Sequence, residues 1–138
     1  MSDFGKLLTA VITPFDNKGV LSTDTLWRLC RKLVHEKSDG LVLSGTTGES
    51  PNLTKDDREI IYSTAKNSVG DKAKIIAGTG TYSTKESIEY TKMASDLGVD
   101  GIMIVTPYYS KPSQLGIMNH FEEISKNTEL PIMAYNIP

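Results

Sequence analysis

Cysteine is nearly missing from this sequence: Cys30 stands alone, so no internal disulfide can form, and the chain suits a reducing compartment. Long apolar runs are missing too. Charge or glycine breaks every hydrophobic stretch before the roughly 18 residues that a membrane span requires. Residues 1–6 hold no basic segment leading into an apolar core, so no secretory signal is expected. Histidine occurs twice, and no His, Cys, Asp or Glu grouping has the spacing of a metal site. Neither sign of charge dominates. Lys and Arg number 15 against 17 Asp and Glu, for a formal net charge of -2, which gives no electrostatic reason to expect nucleic acid. The expectation is a cytoplasmic protein with small-molecule partners, no cofactor, no metal and no membrane. What is present, 38% hydrophobic and 23% charged residues, is ordinary for a globular domain.

The positive signal is alternation. Apolar runs at residues 7–13, 40–44, 74–78, 101–106 and 131–136 predict five strands, nearly continuous in hydrophobicity as buried parallel strands are. Between them lie four helical patterns. The first opens near Ser22 and carries Leu26, Leu29, Cys30, Leu33 and Val34 on one face. The second starts at the capping-box-like Thr54-Lys55-Asp56-Asp57, with Ile60, Ile61, Ala65 and Val69 predicted to face inward and Arg58 read as part of a solvated first turn. The third follows Ser83 with Ile88, Ala94 and Leu97. The fourth follows Pro112-Ser113 with Ile117, Phe121 and Ile124. The interval of about thirty residues is that of a βα unit. A doubly wound five-stranded sheet fits this run, but such a sheet normally has a helix after strand five. A (β/α)8 TIM barrel needs about 250 residues. Residues 1–138 then read as the N-terminal part of a single barrel domain, a truncated barrel of five strands and four helices, and this is the preferred α/β fold class.

In both architectures ligands bind at the carboxyl ends of the strands. There the sequence places Thr13-Pro14-Phe15, Gly45-Thr46-Thr47-Gly48-Glu49-Ser50, Gly78-Thr79-Gly80-Thr81, Thr106-Pro107-Tyr108-Tyr109 and Tyr135-Asn136-Ile137-Pro138. Glycines admit close approach to backbone N–H groups, and threonine hydroxyls add donors, so a small carboxylate or phosphate suits residues 45–50. Nearby tyrosines could relay protons. Each piece alone has a plainer role as a turn or as packing; their meeting on one face is what suggests a site. Cys30 reads as core, His35 and His120 as helix residues without a catalytic partner, and Trp27 as packing.

Three of these blocks, Gly45-Thr46-Thr47-Gly48-Glu49, Val105-Thr106-Pro107-Tyr108-Tyr109 and Tyr135-Asn136-Ile137-Pro138, resemble the signatures of the dihydrodipicolinate synthase family. That family lies within the N-acetylneuraminate lyase superfamily of pyruvate-dependent class I aldolases, and the resemblance extends over the whole chain. It implies a lyase-type condensation of pyruvate with aspartate 4-semialdehyde, through a lysine Schiff base, in lysine and diaminopimelate biosynthesis. By match to the motifs, Thr46, Tyr109 and Tyr135 form a proton relay, Thr46 and Thr47 hold the pyruvate carboxylate, and Tyr109 reaches a neighbouring site in a homo-oligomer. The family's Schiff-base lysine falls beyond Pro138, so these residues alone are expected to be inactive. At the family's lysine-feedback site Glu86 and Tyr108 match, while Lys55, Arg58 and Tyr82 depart from the usual residues. The alternatives are another pyruvate-dependent class I aldolase of the superfamily and a non-catalytic half-barrel that binds carboxylates or assembles with copies of itself.

Overall fold

The apolar runs pair as parallel strands because helices cover them on one side and neighbouring strands satisfy their backbone groups. A computed structural model describes residues 4–137, which leaves Pro138 and residues 1–3 of the N-terminal stretch outside the described part. The strands are β1 (Leu8–Ala10), β2 (Gly40–Leu43), β3 (Lys74–Gly78), β4 (Gly101–Val105) and β5 (Ile132–Tyr135), alternating with α1 (Thr23–His35), α2 (Lys55–Val69), α3 (Thr84–Asp96) and α4 (Gln114–Ser125). Their order in the sheet is β1-β2-β3-β4-β5, every pair parallel. A doubly wound sheet reverses direction partway and breaks sequential order. This sheet never reverses, so it is the wall of a barrel.

Alternation along each strand separates two faces. Leu41, Leu43, Ile75, Ala77, Ile102 and Ile104 are buried beneath the helices with Leu26, Cys30, Ile61, Ala65, Ala94 and Ile124. The other face is concave and carries Val42, Ile76, Met103 and Val105, with Met133 and Tyr135 beside the last two in register. The helix starts follow the expected chemistry. Thr54 and Asp57 form a reciprocal capping box, and the Ser83 and Ser113 hydroxyls accept from Glu86 N and Gly116 N.

Two expectations about α2 need correction. Ile60 is 41% exposed, whereas Arg58 is 2% exposed. The inward stripe runs through Arg58, Ile61, Tyr62, Ala65 and Val69, one helical turn apart in the manner of a buried face. β1 is also shorter than predicted: Leu8–Ala10 pair with β2, and Val11 N adds one more bond, to Val42 O at 2.9 Å.

The amino ends of the strands are pinned by a repeated device. Asp39, just before β2, accepts hydrogen bonds from Lys6 N and Leu7 N, both at 2.8 Å. Asp100, just before β4, accepts from Ile75 N at 3.0 Å and pairs with Lys66 and Lys74 at 3.0 and 3.2 Å. Burial pushes the Asp100 carboxyl up, but these donors together hold it below the usual carboxylate range.

Candidate active site

At the opposite, carboxyl ends of the strands the backbone leaves extended geometry in a concentrated way. Ser44, Glu49, Tyr109 and Lys111 all take positive φ (52°, 57°, 65° and 43°), which costs a non-glycine residue about 1 kcal/mol or more. Here β2 and β4 give way to loops that enclose a cavity of about 420 Å³. Ser44, Gly45 and Thr46 line it from β2, Gly78 and Gly80 from β3, and Met103 and Val105 from β4. Tyr108 and Tyr135 close its sides, and Ser50 and Pro51 its rim.

Gly78 and Gly80 are required by close approach. A Cβ on Gly78 would collide with the Ser44 carbonyl and lie 2.8 Å from Leu43 O; one on Gly80 would lie 2.5 Å from Val105 N. The loop of residues 45–50 turns on itself: Gly48 N and Ser50 N donate to Gly45 O at 3.1 and 3.2 Å, and Glu49 N donates to Thr46 O at 3.1 Å. Thr13, three residues past the end of β1, donates its hydroxyl to Gly48 O at 2.7 Å. Among the described residues, no protein acceptor takes the backbone N–H of Thr46 or Thr47. Two consecutive unclaimed N–H groups and two hydroxyls suit an anion. The Thr46 and Tyr135 hydroxyls stand 3.5 Å apart, the outer limit of a hydrogen bond.

The predicted residues therefore separate. Thr46 and Tyr135 meet in the cavity. Thr47 is exposed in the same loop but does not line it, and Tyr109 is 94% exposed and does not enter its own chain's cavity. The hydroxyls after β3 point elsewhere: Thr79 bonds Thr91 of α3 at 2.9 Å, and Thr81 caps the turn at Ser83. Tyr108 lines the cavity edge-on to Tyr82, ring centroids 5.5 Å apart; burial raises its phenol above the ordinary value. Met103 and Val105 were legible as every second residue of β4, but nothing in the sequence says which strand face is concave. Among the described residues no lysine lines the cavity. Lys74 is paired with Asp100 at the amino end of the sheet, and Lys111 is exposed. No three His, Cys, Asp or Glu residues among those described could hold a metal, and no described helix is long and apolar enough to cross a membrane.

Sequential parallel strands with a cavity at their carboxyl ends define the wall of a (β/α)-barrel, a fold whose ligand sites lie at that end. The chain belongs to the dihydrodipicolinate synthetase family, which it matches over residues 3–138. It is 50% identical over 136 residues to the 4-hydroxy-tetrahydrodipicolinate synthase of Desulforudis audaxviator (strain MP104C), a match covering 99% of this chain and 46% of that protein. The crystal structure of dihydrodipicolinate synthase from Bacillus anthracis superposes with a TM-score of 0.97 at 43% identity, over 100% of this chain and 47% of that one. The chloride-inhibited dihydrodipicolinate synthase from Acinetobacter baumannii, complexed with pyruvate, superposes with a TM-score of 0.96 at 35% identity, over 99% and 47%. The chain thus spans about half the length of these relatives.

Proposed function

We propose that these residues form the carboxylate-binding wall of a 4-hydroxy-tetrahydrodipicolinate synthase, which condenses pyruvate with aspartate 4-semialdehyde. The observation that carries this reading is the unclaimed pair of N–H groups at Thr46 and Thr47 beside a cavity that the Tyr135 hydroxyl also faces. The pyruvate carboxylate docks on that loop, and the keto carbon lies toward Tyr135. A lysine amine, supplied from outside residues 4–137, adds to the keto carbon and the carbonyl oxygen leaves as water, giving the Schiff base; loss of a methyl proton gives the enamine, whose carbon attacks the aldehyde. Thr46 and Tyr135 pass protons during imine formation, their 3.5 Å separation closing as the ligand seats. Tyr109 completes the relay in a neighbouring subunit of a homo-oligomer, a role that its exposure supports. The setting is the cytoplasm.

The test is intact mass after incubating the 138-residue polypeptide with pyruvate and borohydride, alongside a pyruvate titration read at the Thr46 and Thr47 amides. Amide shifts without a covalent adduct are expected. A stoichiometric adduct mapped to Lys111 or another internal lysine would overturn the reading, because the chain would then carry its own imine chemistry.

A further inference from the structure

Arg58 is placed where three physical effects oppose a positive charge. It is 2% exposed, and burying an ion is costly unless it is paired. It sits in the first turn of α2 (Lys55–Val69), the end of a helix that repels cations. Among the described ion pairs none involves it. In place of a carboxylate it has neutral oxygens. Nη1 donates to Gly78 O at 2.8 Å, and Nη2 donates to Ser50 O at 2.7 Å and Ser50 Oγ at 2.8 Å. Its guanidinium lies over the Tyr90 ring at 4.5 Å, and Nε has no partner among the described residues.

Both groups that Arg58 grips are cavity residues: Ser50 from the loop of residues 45–50 and Gly78 from the end of β3. Tyr62 reinforces the grip by donating to the same Gly78 carbonyl at 2.9 Å. Each guanidinium arm thus holds one side of the anion loop's base, and the unneutralised charge sits one residue layer behind the cavity. At the Tyr108 phenol, which burial raises, the Arg58 charge acts downward and the Glu86 carboxylate, bonded to the Tyr90 hydroxyl at 3.2 Å, acts upward. A buried cation without a counter-ion is stabilised when an anion arrives nearby, since little water intervenes to screen it.

We propose that Arg58 is a positioning residue for the carboxylate site, fastening residues 45–50 to β3 and supplying, from behind the wall, the positive potential that favours a bound carboxylate. This rests on the carboxylate reading of the Thr46–Thr47 loop given above.

The 138-residue chain tests it, with pyruvate and its uncharged methyl ester as probes. Two readouts are used: amide shifts at Thr46 and Thr47, and hydrogen exchange at Gly48, Glu49 and Ser50, whose N–H groups close the loop. Losing charge-assisted bonds of this kind should weaken pyruvate binding by about tenfold in Arg58→Met, erase the preference over methyl pyruvate, and speed loop exchange by about tenfold. Arg58→Lys, which keeps the charge but not the fork, should keep most of the preference and still exchange faster. A folded Arg58→Met with unchanged affinity and unchanged exchange overturns the proposal. If Arg58→Met does not fold, Arg58→Lys decides: unchanged exchange overturns it and faster exchange supports it. If the unaltered chain shows no pyruvate shift, the carboxylate reading is what fails, and loop exchange in the variants still decides whether Arg58 fastens the loop.

Discussion

Single atoms decide the site. Thr46 and Tyr135 lie 89 residues apart in sequence, yet their hydroxyls come within 3.5 Å. The strand register sets Leu43 at the end of β2 level with Ile132 of β5, and the loop after β2 carries Thr46 to the Tyr135 hydroxyl. The glycine at the end of β3 is as constrained as either. Gly78→Ala would press a methyl group against the Ser44 and Leu43 carbonyls, and backbone cannot step aside as a side chain can. The expected cost is about 3 kcal/mol, at the upper end for overpacking, read as a lower urea midpoint together with lost pyruvate shifts at Thr46. A midpoint unchanged from that of the natural chain would show that β2 and β3 can separate at no cost. Arg58 was illegible for a physical reason. In Lys55-Asp56-Asp57-Arg58 it belongs to a polar run that normally faces water, and its burial follows from the rotation of α2, which no local pattern encodes.

At the scale of elements, capping and periodicity served well. Thr54, Ser83 and Ser113 start their helices as their sequence context implies. Cys30 is buried as expected, and burial pushes its thiol up to about 11, so it is inert at neutral pH. His120 shows what periodicity leaves out. It is 3% exposed between α4 and α3, with Nδ1 2.9 Å from the Thr84 hydroxyl and Nε2 without a partner among the described residues. Burial lowers its pKa below the ordinary 6.5, so the folded state binds fewer protons than the unfolded one. Its stabilising effect is therefore complete above the unfolded value and declines as pH falls from there toward the folded value. Urea midpoints measured downward from about pH 8 should fall below about pH 6.5, and His120→Gln should flatten that slope. Equal slopes in both proteins would place the pH sensitivity elsewhere.

The whole molecule divides its labour between the two ends of the sheet. Asp39 and Asp100, each followed by the glycine that opens β2 or β4, pin the amino ends, while the loops of the carboxyl ends hold the cavity and four of the five described non-glycine residues with positive φ, Lys37 before β2 being the fifth. Among the described residues the sheet has free edges at β1 and β5, and Ala134 on β5 is exposed. Unpaired strand edges template association. An isolated polypeptide of these 138 residues should sediment as species larger than its 15.1 kDa, and Ala134→Lys should shift it toward monomer. A sharp monomer boundary in the unaltered chain would mean that these edges are protected.

The sequence by itself determined the alternation of five strands and four helices, the helix starts and the motif blocks at the strand ends, because these depend on nearest neighbours along the chain: periodicity, caps and turn residues. Tertiary structure alone decided that the strands follow one another without reversal, which strand face is concave, that Thr46 and Tyr135 meet while Thr79 and Thr81 turn away, and that Arg58 lies inside. Those outcomes depend on how strands register and how helices rotate against them, and both are set by packing between segments far apart in the chain.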